Sequence, residues 1–157
     1  MGSIVCIDTD VLIWGTKANT GSEQSEKCLN AKYFFESLHK DHKTVIVPMV
    51  VLAEFLVKIP QSEHSKIMGY FEKSFIIVPI DGLTASVYAQ IYQKNKISTS
   101  ELSKPRQAIK IDRLIVASAV AYKADILYSE DNDIPNFAKG FIPVQKIPNV
   151  PHQLSAL

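Results

Sequence analysis

The chain has 157 residues, 46% apolar and 21% charged, which fits one ordinary domain with a real core and excludes a disordered polypeptide. A formal net charge of +1 excludes a strong overall field toward nucleic acid or acidic lipid, so any basic surface must be local. Cys6 and Cys28 are the only cysteines, with no spacing suited to zinc.

Met1 to Ile7 lacks the basic start and long apolar stretch of a signal peptide. Ile4-Val5-Cys6-Ile7 is an unbroken apolar run before Asp8 and reads as a strand buried on both faces, with Cys6 in the core. A short apolar segment, Val11 to Trp14, follows Asp8-Thr9-Asp10. Asn19 to Ser22 reads as a polar loop, with Ser22 capping a helix whose first turn carries Glu23 and Glu26 and which stops near His39.

Thr44 to Val47 is a second buried strand closed by Pro48, and Met49 to Lys58 a helix carrying Glu54 and ended by Pro60. Val45 to Ile59 is the longest apolar stretch. Pro48 and Glu54 interrupt it and it is too short to span a bilayer, so a cytoplasmic protein without membrane contact is expected. A helix from about Glu63 to Lys73 precedes a third strand, Phe75 to Val78, and Asp81 caps a helix with Leu83, Val87, Ile91 and Tyr92 at helical spacing. Lys96 to Gln107 is polar, carries Pro105 and is the best candidate for a mobile loop.

Ile111 to Tyr122 marks a last long helix, Asp125 to Tyr128 a fourth strand, and Ile142 to Val144 a short fifth. The expected fold is α/β: three layers, α/β/α, around a central, mainly parallel sheet of four to five strands. The domain should span residues 1–145, and prolines keep 146–157 an irregular tail. In such sheets ligands bind beyond the carboxyl ends of the strands. Asp8 ends strand one and Asp131 follows strand four, so both should emerge at one edge.

Each acidic residue has an ordinary reading: a turn or cap for Asp8, a solvated face for Glu54, a helix start for Asp112, a hydrophilic loop for Asp131 and Asp133. In combination they resemble the PIN-domain family. The resemblance rests on Asp8-Thr9-Asp10-Val11-Leu12 after a strand, on Glu54 in the helix after the second strand, on Asp112-Arg113-Leu114-Ile115-Val116-Ala117-Ser118-Ala119, and on Tyr128-Ser129-Glu130-Asp131-Asn132-Asp133-Ile134. It runs from about Ile4 to Val144. Departures are Asp10 where Asn is common, Ser129 for Thr, Ile134 for Phe, and Val50 where a Ser or Thr is often found ahead of the helix glutamate.

The resemblance implies a metal-dependent ribonuclease. Carboxylates cannot approach a phosphodiester directly, but they can hold Mg²⁺ or Mn²⁺, hard cations that prefer oxygen ligands. Such ions acidify water and stabilise charge on the phosphate, singly or as a pair about 3.5–4 Å apart. Self-repulsion of the cluster is itself an argument for a cation. In this expectation Asp8 and Asp112 ligate a first metal with Asp131 beside them. Glu54 ligates or orients the attacking water, and Asp133 serves a second metal or acts from further out. Thr9 and Ser129 hold carboxylates or phosphate through their hydroxyls. Lys104, Arg106, Lys110 and Arg113 surround Asp112 in sequence and are expected to grip RNA phosphates. Trp14 is expected to pack under the first loop.

Two alternatives carry their own signatures. In a haloacid-dehalogenase-like phosphohydrolase Asp8 would be the nucleophile and Asp10 the general acid, but Leu12 stands where Thr or Val is wanted and Lys123 fits the late lysine poorly. An inactive PIN scaffold would not need the retained acids. Many stand-alone chains of the family at this size are VapC-type toxin ribonucleases, neutralised by a small antitoxin and often homodimeric, and the resemblance implies both partners here.

Overall fold

The computed structural model describes residues 2–16, 22–96 and 104–151. In chain order the elements are β1 (Ile4–Ile7), α1 (Thr9–Thr16), α2 (Ser22–Lys40), β2 (Thr44–Pro48), α3 (Met49–Leu56), a 3₁₀ turn (Gln61–Glu63), α4 (His64–Ser74), β3 (Ile76–Val78), α5 (Gly82–Lys94), α6 (Arg106–Ala121), β4 (Ile126–Tyr128), α7 (Ile134–Ala138) and β5 (Val144–Gln145). The strands form one five-stranded sheet in the order β3-β2-β1-β4-β5, every pair parallel.

The strand order follows from where the apolar runs are densest. Val5, Cys6 and Ile7 are buried, and β1 is flanked on both edges, by β2 and β4. Right-handed crossovers place α1 to α4 on one face, because β1→β2→β3 steps in one direction; the return through α5 and α6 to β4 lies on the other. Packing agrees: α1 meets α2 and α3, while α5, α6 and α7 meet one another. This is the expected three-layer α/β/α arrangement.

Local chemistry sets the element ends. Asp81 is the N-cap of α5 and accepts a hydrogen bond from Thr84 N at 3.0 Å. Gly15 lies against the Phe35 ring where α1 crosses α2, and a Cβ there would overlap that ring. Val116 to Ala119 are buried, so small residues let α6 lie close to its neighbours. Gly140 turns the chain after α7 with φ of 82°.

Several expectations shift. Pro105 is the N-cap of α6, so Arg106 and Gln107 are helical and not part of a loop. The segment after Asp133, to which the sequence pattern assigns no element, forms α7 because Pro135 suits a first helical turn and Phe137 buries fully. The tail docks as far as 151: Ile147 N donates to Glu130 Oε1 at 3.1 Å and Val150 N to Asn30 Oδ1 at 2.8 Å. Residues 19–21 of the expected polar loop, the side chain of Ser22, most of the polar loop after Lys96 and the last residues of the tail lie outside the described residues. Among the described residues no helix is long and apolar enough to cross a membrane.

Candidate active site

All five strands point their carboxyl ends to one edge, and the crossovers leave β1 in opposite directions. That opens a crevice between β1 and β4. The register pairs Ile7 with Tyr128, so the next residues, Asp8 and Ser129, come side by side. Ser129 Oγ donates to Asp8 Oδ2. Asp8 Oδ1 also accepts from Val11 N at 3.4 Å, so this carboxylate caps the first turn of α1 and faces the crevice together.

Three other segments bring acids to the same place. In α3, Val51, Leu52 and Phe55 are buried while half-buried Glu54 turns to the cleft, where Thr9 Oγ1 donates to its Oε1 at 2.7 Å. Asp112 enters from α6, two turns past its start. Asp131 follows β4, positioned by its own N–H on Ser129 Oγ at 3.0 Å and by Asp133 N on its Oδ1 at 2.8 Å. Asp8, Glu54, Asp112 and Asp131 thus line one cleft of about 540 Å³, with Asp10 exposed at its lip.

The crowding is visible in the proton affinities. Burial, with lesser repulsion from Asp10 and Asp131, outweighs the hydrogen bonds from Ser129 and Val11 and pushes Asp8 up to about 7. Asp112 is raised to about 6, again chiefly by burial, against the favourable hydrogen bond and charge of Lys104 and with repulsion from Asp131 and Glu54. A cluster short of positive charge behaves this way.

The cation that answers it is Lys104. Its Nζ donates to Asp112 Oδ2 at 3.0 Å and to Asp131 Oδ2, and lies 3.8 Å from Asp133 Oδ2. Burial alone would lower the lysine, but its bonds to Asp131 and Asp112 and their charges hold it above its ordinary range. The donor set is all oxygen and carboxylate-rich, which fits a hard divalent ion. Among the described residues no three His, Cys, Asp or Glu side chains stand in ready coordination geometry, and the Oδ2 atoms of Asp112 and Asp131 lie on the ammonium. A divalent ion therefore fits the chemistry of the cleft, with rearrangement around Lys104.

The basic residues divide. Lys104 joins the acids, and Arg106 and Lys110 are exposed on α6 outside the cleft lining. Arg113 corrects the expectation of a phosphate contact. A helix turns about 100° per residue, so neighbours in sequence leave on different faces. Arg113 is buried between α5 and α7, its guanidinium 4.8–5.4 Å from the rings of Tyr92, Phe137 and Tyr88, with Nη1 donating to Tyr88 OH at 3.2 Å. Trp14 packs half-buried on the core under Lys27, 4.9 Å from its ring. Lys58 lines the cleft and was missed by the sequence reading, although it stands four residues after Glu54, the spacing of one helix face.

The family description "PIN domain" matches residues 5–140. Among solved structures, the chain is similar to a chain of VapBC2 from Rickettsia felis, solved bound to a DNA fragment from their promoter. The TM-score is 0.63 at 16% identity, over 92% of this chain and 99% of that one. At that identity the likeness is one of fold. No curated protein sequence matches the chain.

Proposed function

This chain belongs to the PIN-domain family, and we propose that it is a nuclease that hydrolyses RNA phosphodiester bonds with Mg²⁺ or Mn²⁺ as cofactor. The observation that carries the reading is the meeting of Asp8, Glu54, Asp112 and Asp131, drawn from both ends of the chain, in one cleft. Asp8, Asp112 and Glu54 would hold the divalent ion, with Asp131 beside them and Asp133 at the rim. When bound, that ion supplies the Lewis acidity that neutralises the scissile phosphate and eases deprotonation of the attacking water.

The chain's own groups set the rest. Thr9 and Ser129 orient Glu54 and Asp8 by donating hydrogen bonds, which leaves each carboxylate an acceptor toward the cleft. With Oε1 held by Thr9, Glu54 would keep its other oxygen to ligate the ion or to orient the attacking water. Lys58 lies where it can meet a flanking RNA phosphate, and exposed Arg106 and Lys110 extend the positive surface beyond the cleft. The dehalogenase alternative does not fit, since Lys123 precedes β4 and so belongs to the edge opposite Asp8.

The fold likeness to a VapBC2 chain motivates a protein partner, and from the family resemblance we propose this chain as the toxin of a two-component pair, cytoplasmic, inhibited by a small antitoxin, and homodimeric. The decisive experiment is an RNA-cleavage assay with Mg²⁺ or Mn²⁺ on wild type and Asp112→Asn. Metal-dependent cleavage lost in the variant is expected; equal activity in both would sink the site assignment. Absence of Mn²⁺ binding would favour the scaffold alternative. Co-expression with the product of the adjacent upstream gene tests the antitoxin.

A further inference from the structure

The carboxylates of the cleft fall into two sets. Asp8 and Glu54 are met by neutral hydroxyls, those of Ser129 and Thr9. Asp112, Asp131 and Asp133 converge through their Oδ2 atoms on the single Nζ of Lys104. Lys104 is next to Pro105, the N-cap of α6, the helix that delivers Asp112. We propose that Lys104 is the built-in second cation of this site, so that the chain takes one divalent ion where the carboxylates would otherwise accommodate two.

The inference rests on the nuclease reading above and deepens it. An ammonium and a divalent ion cannot share the same three oxygens, because both are positive and both need the lone pairs. The oxygens left free of Lys104 are those of Asp8 and Glu54 together with Oδ1 of Asp112, for which no hydrogen-bond partner is found among the described residues. Drawn together by small side-chain movements, these would make one divalent position. The other position holds a fixed positive charge whose three N–H donors are turned to Asp112, Asp131 and Asp133.

The test counts Mn²⁺ bound per full-length chain, by calorimetric titration and by the paramagnetic resonance of free Mn²⁺. Wild type should bind one and Lys104→Met two, while Lys104→Arg stays at one. Adding Asp133→Asn to Lys104→Met should return the count to one. Methionine keeps most of the length of the part-buried lysine side chain, and circular dichroism checks each fold. Two ions on wild type would overturn the proposal while leaving the nuclease reading intact. One ion on Lys104→Met, merely bound more tightly, would overturn it too, since the lysine would then block the only position. No Mn²⁺ on any variant would bring down the metal reading and this inference with it.

Discussion

Ser129 Oγ donates to Asp8 Oδ2 one register step beyond the Ile7–Tyr128 pair, tying the ends of β1 and β4 together at the cleft. A hydrogen bond to a charged group is worth about 1.5–3 kcal/mol, and this one lowers the proton affinity of Asp8. Ser129→Ala should therefore move the acid limb of the pH–activity profile upward by about one unit. Ser129→Thr should restore it. An unmoved acid limb would mean that the hydroxyl does not govern Asp8.

Asp8 and Asp112 also predict how stability varies with pH. Their folded-state values, about 7 and about 6, lie above the ordinary carboxylate value of 3.8, so the folded chain binds more protons than the unfolded one between roughly pH 4 and 7. Their contribution is fully present below pH 4 and is lost as pH rises through the folded values. In chelator, Asp8→Asn should melt higher than wild type at pH 8, by about 2–8 °C if about 1–2 kcal/mol is recovered. Melting curves at pH 5 and pH 8 check the sign: the gain should shrink at pH 5.

Thr9 tests positioning apart from chemistry. Its hydroxyl lies 2.7 Å from Glu54 Oε1 at a half-buried site. Thr9→Val should cut kcat roughly tenfold with little change in KM, the effect of about 1.4 kcal/mol in the transition state. Thr9→Ser should recover most of it, and Glu54→Gln should be the more severe variant. Equal rates for Thr9→Val and wild type would remove Thr9 from the machinery.

Arg113 should behave as a core residue despite its charge. Held among three aromatic rings and largely shut from solvent, it cannot be replaced by Lys, whose ammonium lacks the flat stacking face. Arg113→Lys and Arg113→Ala should lower stability by about 1–4 kcal/mol in urea titrations. The folded fraction should keep its cleavage rate. A normal denaturation midpoint with lost RNA binding would instead restore the phosphate role.

Gly15 sets the distance between α1 and α2. A Cβ at this position would overlap the Phe35 ring, so Gly15→Ala should be destabilising by about 1–3 kcal/mol although alanine favours helices. Phe35→Leu in the same chain should relieve part of the cost, and additive losses in the double variant would refute the contact.

The sequence made the layers and the site edge legible because both rest on local patterns. Apolar runs ending in Asp8, Pro48 and Tyr128 mark the strands, and parallel pairing carries their ends to one side. What escaped depends on contacts between distant segments. Lys104, Arg106, Lys110 and Arg113 look like one basic cluster when written in a line. On a helix they diverge, and Lys104 and Arg113 end in opposite surroundings, one among carboxylates and one among rings. The segment forming α7 was hidden because five residues with a proline show too little periodicity to declare a helix. Lys58 was readable through its spacing from Glu54 and was overlooked.

β1 is the middle strand, yet it is made before its neighbours, and its β4 edge is paired with residues 126–128. During synthesis that edge stays bare until β4 has left the ribosome. Asp131 arrives later still. The acidic cleft is therefore complete only once β4 and Asp131 have been made, and a ribosome stalled before β4 releases a fragment that lacks Asp131 and is prone to stick to its own kind.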